Sequence, residues 1–155
     1  MGRSARASAV VALTPEATLG LWSDVDRWPA FVEGFARVLE RSGDWPHEGS
    51  KVVWESTPDG RGRVTERVLR REGGAFVTEV FDKSIHGEQA LRVIEDAEGT
   101  HVQLALDYEL AKSGALGAVT DALFIRRALR DSLARTLRRF AVEAEEEAGL
   151  REPPR

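Results

Sequence analysis

The sequence contains no cysteine among its 155 residues. Disulfide bridges and thiolate chemistry are therefore excluded, and a reducing compartment suits such a chain. We accordingly expect a cytoplasmic location. The three histidines, His47, His86 and His101, are far apart in sequence, so no metal pattern is present and no metal or other cofactor is expected.

Long apolar runs are also lacking. No window approaches the roughly 18 apolar residues of a membrane span. The apolar stretch near the start of the sequence is too short for the hydrophobic region of a secretory signal. Lysine occurs only at positions 51, 83 and 112, and the formal net charge is −4. This balance argues against a nucleic-acid partner.

Hydrophobic residues make up 42% of the chain and charged residues 31%, values typical of a globular protein. The length predicts one domain over residues 1–155. Gly149 and the prolines that follow it predict a flexible tail from about 149 to 155. Neither length nor composition predicts an oligomeric state.

The N-terminal part predicts a strand over 5–13 followed by a helix. Thr14 suits the N-cap of that helix, Pro15 its first position and Glu16 the positive end of its dipole. Because Pro29 cannot donate an N–H, it interrupts the segment, and two short helices are expected at about 15–23 and 26–33.

From Gly34 onward the apolar pattern changes to a period of two, which predicts strands. In the last strand Val102, Leu104, Leu106 and Tyr108 share one face and polar residues the other, as in an antiparallel sheet with one wet face. Turn residues separate the predicted strands, which cover 35–41, 51–56, 62–71, 75–83, 86–95 and 100–110.

A long helix is predicted over about 120–148, capped by Thr120 or Asp121, after a glycine-bearing loop at 112–118. Neither a lone helix nor a one-faced sheet can bury its apolar side without a partner layer. The expected fold is therefore α+β, with a curved seven-stranded antiparallel sheet wrapped around the C-terminal helix and the two short helices closing one end.

This order of elements resembles the START-like, birch-pollen-allergen-like helix-grip superfamily (SRPBCC), and within it the polyketide cyclase/dehydrase and coenzyme Q-binding START group. The resemblance extends over about residues 5–145. The stretches that carry it are the first strand into Thr14-Pro15-Glu16, residues 21–31, residues 53–56 with 60–66, residues 99–102, Tyr108, and the last helix with Leu133, Leu137 and Phe140.

The resemblance implies a cavity between sheet and long helix, in a superfamily of lipid carriers, cyclases, hormone receptors and ligand-sequestering proteins. The two short helices would cap one end of that cavity, with Trp28 and Phe31 at its rim. The alternative for these aromatic residues is ordinary core packing.

The last helix carries an apolar stripe with an arginine in it. Arg126 falls near the middle of this stripe, where it must be paired or reach a polar ligand because an unpaired buried charge is costly. Irregularity in the first turns of the helix would instead release Arg126 to solvent. The stripe consists of Val119, Ala122, Leu129, Leu133, Leu137, Phe140 and Ala144.

Glu66 shares a strand face with Val64 and Val68, which predicts an inward carboxyl. In an apolar cavity its pKa would be raised, and it could act as a general acid or base. A cross-strand salt bridge to an arginine is the alternative. The alternating pattern does not determine which face of the sheet Glu55 and Glu79 occupy. The Tyr108 ring should point inward. It either packs in the core or presents its hydroxyl to a ligand.

Three functions fit these observations. The first is a binder or carrier of a small hydrophobic molecule such as a lipid, quinone or polyketide-like aromatic. The second is an aromatase-like polyketide cyclase/dehydrase using Arg126, Tyr108 and Glu66 on a poly-β-keto chain. The third is a filled-core module that binds a partner. The predicted cavity residues are Trp28, Phe31, Trp54, Glu66, Leu104, Leu106, Tyr108, Val119, Leu123, Arg126 and Leu133.

Overall fold

A computed structural model describes residues 3–111 and 118–151 of the chain, with side chains from position 122 onward in the second segment. It contains the predicted order of elements: one strand, two short helices, six strands and a long helix. The helices are α1 Pro15–Ser23, α2 Trp28–Phe31 and α3 Ala118–Arg151. The strands are β1 Arg3–Val11, β2 Phe35–Arg41, β3 Lys51–Ser56, β4 Arg63–Glu72, β5 Ala75–Phe81, β6 Ile85–Asp96 and β7 Gly99–Leu110.

The seven strands form one curved antiparallel sheet in the order β1-β7-β6-β5-β4-β3-β2. Helix α3 packs against β1 and β7 and against the two short helices. The predicted alternation in β7 is confirmed, since Val102, Leu104, Leu106 and Tyr108 are all buried. The predicted fold class, a sheet wrapped around the C-terminal helix, is therefore confirmed.

Helix α1 starts where its capping residues predict. The side chain of Thr14 accepts a hydrogen bond from the backbone N–H of Ala17 at 3.2 Å, and Pro15 follows at the first helical position. The second predicted helix is shorter than expected, because a 3-10 turn at Val25–Arg27 precedes α2 and α2 ends at Phe31. Gly34, at φ +72°, then turns the chain into β2.

Three aromatic rings join the short helices to α3. Trp22 and Phe31 stack with their ring centroids 5.5 Å apart, and both contact Phe140 edge-on at 5.2 and 5.0 Å. We call these three residues the aromatic cluster. Aromatic pairs in such geometries add to the stabilisation from burial alone. The cluster therefore joins α1 and α2 to the C-terminal half of α3.

The two ends of α3 differ from the sequence-based expectation. The helix continues through Gly149 to Arg151, whose Nε donates to Glu147 at 3.2 Å one turn earlier, so residues 149–151 belong to the helix and not to the predicted tail. Residues 112–117 and 152–155, and the side chains of Val119 and of the expected caps at 120 and 121, lie outside the described part. Among the described residues no helix is long and apolar enough to cross a membrane.

The aromatic cluster generates a stability prediction. Phe140 is 0% exposed, so Phe140→Ala leaves a cavity beneath α3 and should lower the free energy of unfolding by about 3–5 kcal/mol. Val142, two residues away and 58% exposed, provides the matched control, and Val142→Ala should change stability by less than about 0.5 kcal/mol. Urea unfolding followed by circular dichroism measures both. Equal losses would contradict the assigned role of Phe140.

Candidate functional site

Two cavities with shared lining residues lie beside the N-terminal half of α3. The outer one, which we call the groove, has a volume of about 420 Å³ and lies between α3 and the β3–β4 and β5–β6 turns. The inner pocket has a volume of about 40 Å³ and lies between α3 and the sheet. Both are lined by the same three residues, Glu33, Arg61 and Ser132, which we call the neck.

The β3–β4 turn holds Arg61 at the neck. The Ser56 hydroxyl accepts from the backbone N–H of Gly62 at 2.7 Å and donates to the carbonyl of Thr57 at 2.8 Å. Gly60 fits against this hydroxyl, because an added Cβ would lie 2.9 Å from Ser56 Oγ. The turn is therefore compact, and its backbone fixes the position from which the Arg61 side chain extends.

The guanidinium of Arg61 is partly satisfied. Its Nε donates to Oδ2 of Asp82 at 2.7 Å, and its Cζ lies 5.8 Å from the ring centroid of Trp54. The Asp82 side chain is 3% exposed and also accepts from the backbone N–H groups of Ser84 and Ile85. Nη2 of Arg61 is buried without a hydrogen-bond partner among the described residues. One strong donor at the neck is therefore available.

Glu33 supplies the opposite group. Its Oε1 accepts from Nε of Arg135, and its backbone N–H donates to the Thr136 hydroxyl at 3.0 Å, so α3 holds it in place. Its Oε2 is buried and has no partner in the part of the chain that the structure describes. Two of the three neck residues therefore carry an unpaired polar atom, an acceptor on Glu33 and a donor on Arg61.

Glu66 lies at the inner pocket and points inward, as its two valine neighbours predict. Its Oε2 accepts from Trp54 Nε1 at 2.8 Å, and its Oε1 accepts from the Thr78 hydroxyl at 3.3 Å. Burial raises the pKa of Glu66, while these hydrogen bonds and the charge of Arg61 act in the opposite direction. Desolvation is the largest of these effects, which favours the protonated carboxyl.

The other two candidate acids face outward. Glu55 pairs with Arg37 at 2.8 Å, and Glu79 lies 3.3 Å from His86 on the outer face of the sheet. No basic side chain within residues 3–111 or 122–151 forms an ion pair with Glu66. The inward orientation of Glu66 is thus confirmed, and the alternative of a cross-strand salt bridge is wrong.

Tyr108 is buried, as predicted, but it lies apart from Glu66. Glu66 pairs with Val80 on β5, Val80 pairs with Gly87 on β6, and Gly87 pairs with Tyr108 on β7. Two strands therefore separate Glu66 from Tyr108. The Tyr108 hydroxyl has no partner among the described residues, and burial raises its pKa against the opposing charges of Arg3 and Arg126. Gly87 is needed beside it, since an added Cβ would lie 2.7 Å from Cα of Tyr108.

Two predicted cavity residues are exposed. The side chains of Arg126 and Leu123 both face solvent, and neither lines the groove or the inner pocket. Placing Arg126 in the buried stripe was therefore wrong. Ala122 and Leu129, one turn before and one turn after it, are buried, yet the Arg126 side chain reaches solvent, where the guanidinium avoids the cost of an unpaired buried charge. The other described stripe residues, Ala122, Leu129, Leu133, Leu137, Phe140 and Ala144, are buried as predicted.

The remaining predicted residues divide between pocket and core. Phe31 and Leu106 are buried in the core and line neither cavity. The predicted residues that line the inner pocket are Trp28, Trp54, Glu66, Leu104 and Leu133. Sequence reasoning missed Arg61, Glu33, Ser132 and Gln89, the first two of which lie in connecting segments where no periodicity indicates a direction.

Comparisons with known proteins agree with this architecture. The family described as "Polyketide cyclase / dehydrase and lipid transport" has a sequence model that matches residues 3–145. No curated protein matches the sequence.

Among solved structures, the Zhui aromatase/cyclase from Streptomyces sp. R1128 has a TM-score of 0.78 at 16% identity, covering 97% of each chain. The di-domain ARO/CYC StfQ from the steffimycin biosynthetic pathway has a TM-score of 0.75 at 18% identity, covering 96% of this chain and 53% of StfQ. A START superfamily protein from Mycobacterium smegmatis has a TM-score of 0.69 at 14% identity, covering 93% of this chain and 98% of that one. At these identities the likeness establishes the helix-grip fold alone.

The buried carboxyl of Glu66 generates a pH prediction. Folded Glu66 holds its proton to higher pH than the ordinary pKa of about 4.5, so the folded state binds more protons and its stability falls as pH rises above that value. Glu66→Gln cannot titrate. The variant should therefore gain stability relative to the wild type between pH 4.5 and 8, by about 1.4 kcal/mol for each unit by which the pKa is raised.

Urea unfolding at both pH values measures this difference. Glu95→Gln, which removes an exposed carboxylate, is the control and should show no such gain. If Glu66→Gln and the wild type kept a constant stability difference across this pH range, Glu66 would be ionised in the fold and the assignment would be wrong.

Proposed function

The chain belongs to the polyketide cyclase/dehydrase and lipid transport family, and from that premise we propose that it binds a small apolar molecule whose polar end sits at the neck. The molecule occupies the groove, and its polar end reaches Arg61 and Glu33. Lipids, quinones and polyketide-like aromatics share this combination of an apolar body and a few polar atoms.

The single observation that supports the proposal best is the pair of unsatisfied atoms at the neck. Nη2 of Arg61 and Oε2 of Glu33 are both buried, and both residues line the groove and the inner pocket. A buried polar group without a partner costs about 1–3 kcal/mol. A molecule that pairs with both atoms recovers that cost, so the neck favours occupation.

The groove wall provides the apolar part. Phe124 is 74% exposed at the edge of the groove, next to Ile125, Ala128 and Leu129 on α3, and Ile85 lies opposite. A bound apolar molecule would remove part of the Phe124 ring from water. The volume of about 420 Å³ falls within the range of about 300–1,000 Å³ for small-molecule pockets.

The inner pocket limits how deeply the molecule enters. At about 40 Å³ it has room for a few water molecules and not for a ring system. Trp22 of the aromatic cluster forms part of its wall. The ligand site therefore lies toward the N-terminal half of α3. The well-packed part of the core would also suit the third function, a module that binds a partner through its surface. The open groove favours the binding of a small molecule instead.

A second candidate function is a cyclase or dehydrase, favoured by Glu66. A protonated carboxyl behind the neck could donate a proton to a carbonyl seated there, with Arg61 stabilising the negative charge that forms on an enolate. The expected partners Arg126 and Tyr108 do not support this chemistry, because the first is exposed and the second lies three strands from Glu66. Binding without catalysis is therefore our conclusion.

Two adjacent exposed residues test the groove. N-phenyl-1-naphthylamine, a neutral apolar probe that fluoresces in apolar surroundings, should bind the wild-type protein. Phe124→Ala removes part of the groove wall and should weaken binding about five- to tenfold, the equivalent of about 1–1.5 kcal/mol of apolar contact. Leu123, 62% exposed, does not line the groove, so Leu123→Ala should leave the Kd unchanged.

Fluorescence titration gives the Kd of all three proteins, and circular dichroism confirms that each is folded. Equal weakening by both substitutions would place the probe on the outside of α3, away from the groove. A wild-type protein that does not bind the probe at all would contradict the proposed function.

A further inference from the structure

The charges around the groove are balanced. Among the described residues three acidic and three basic side chains line it, and the ones at the neck are already paired as Arg61 with Asp82 and Arg135 with Glu33. Asp59 and Lys83, farther out, complete the set. These six side chains therefore leave no uncompensated charge for a charged ligand to neutralise.

The neck still offers one hydrogen-bond donor and one hydrogen-bond acceptor. Arg61 Nη2 can only donate, and an ionised Glu33 Oε2 can only accept. A carboxylate would satisfy Arg61 but would place a second anion against Glu33. An ammonium group would satisfy Glu33 but would face the guanidinium of Arg61. Each leaves one buried group unpaired or repelled.

From this arrangement, and resting on the proposed function, we infer that the ligand end seated at the neck is electrically neutral and carries both a hydrogen-bond donor and an acceptor, as a carboxamide does. Its carbonyl oxygen accepts from Arg61 Nη2, and its N–H donates to Glu33 Oε2. The half-buried Ser132 hydroxyl, on the third side of the neck, can accept or donate and so fits either end of such a group.

Four naphthalene derivatives with the same ring system test this inference at neutral pH. In 2-naphthamide the substituent is neutral and carries both a donor and an acceptor. In 2-naphthoate it is anionic, in 2-naphthylmethylammonium it is cationic, and in 2-methylnaphthalene it is apolar. Their affinities are measured by displacement of N-phenyl-1-naphthylamine. We expect the amide to bind at least about tenfold more tightly than each of the other three, because only it pairs both buried atoms.

A charge-changing variant gives a second readout. Glu33→Gln removes the negative charge and leaves the groove with one excess positive charge. The one oxygen that glutamine keeps is needed to accept from Arg135 Nε, so its NH2 donor replaces the free acceptor at the neck. The preference for the amide over the carboxylate should therefore fall at least about tenfold. Glu95→Gln makes the same change in net charge at an exposed position on β6, outside the groove, and should leave the preference unchanged.

The outcomes separate the two proposals. Tightest binding of the carboxylate or the ammonium compound, or equal binding of all four compounds, would overturn the neutral head group while leaving the groove as a ligand site. Failure of every compound, the fluorescent probe included, would overturn the proposed function and this inference with it. The same loss of preference in Glu33→Gln and Glu95→Gln would show that net charge alone decides selectivity, which also contradicts the inference.

Discussion

The packing of Trp22, Phe31 and Phe140 decides where a ligand can go. These rings hold the C-terminal half of α3 against the short helices, with centroid separations of 5.0–5.5 Å, and all three are buried. From position 122 to the middle of the same helix no equivalent aromatic contact is present, and the groove lies beside this part. A helix that is fixed at one end and less tightly packed at the other thus provides both stability and a binding surface.

A continuous set of contacts links the groove to the interior of the sheet. Asp82 holds Arg61, the guanidinium of Arg61 lies above the ring of Trp54, and the Trp54 indole donates to Glu66. Each member depends on the next for its position, since the guanidinium is oriented by the carboxylate and the buried carboxyl needs the indole N–H as a donor. A group that binds Arg61 therefore changes the surroundings of Trp54 without entering the inner pocket.

The sequence predicts the strands, the α1 cap and the inward faces well, because each depends on a local pattern. Glu66 between two valines and Tyr108 among leucines are placed by alternation alone. Helical periodicity places Leu133, Leu137 and Phe140 but fails at Arg126, because periodicity gives a direction around the helix and not whether a long charged side chain on that face ends in solvent. Arg61 and Glu33 lie in connecting segments, where direction depends on backbone turns and on partners such as Asp82 and Arg135 that are distant in sequence.

The most direct test of this account uses the indole N–H signals of the four tryptophans. Protein carrying ¹⁵N in the indole rings is titrated with N-phenyl-1-naphthylamine and followed by ¹H–¹⁵N correlation spectra. The Trp54 signal should move, because that ring lies under Arg61 at the neck, and the Trp45 signal should stay in place, because its N–H is bonded to the carbonyl of Ser23 and it lines neither cavity. A bound probe that moves Trp45 and leaves Trp54 unchanged would contradict the assignment of the groove and neck as the ligand site.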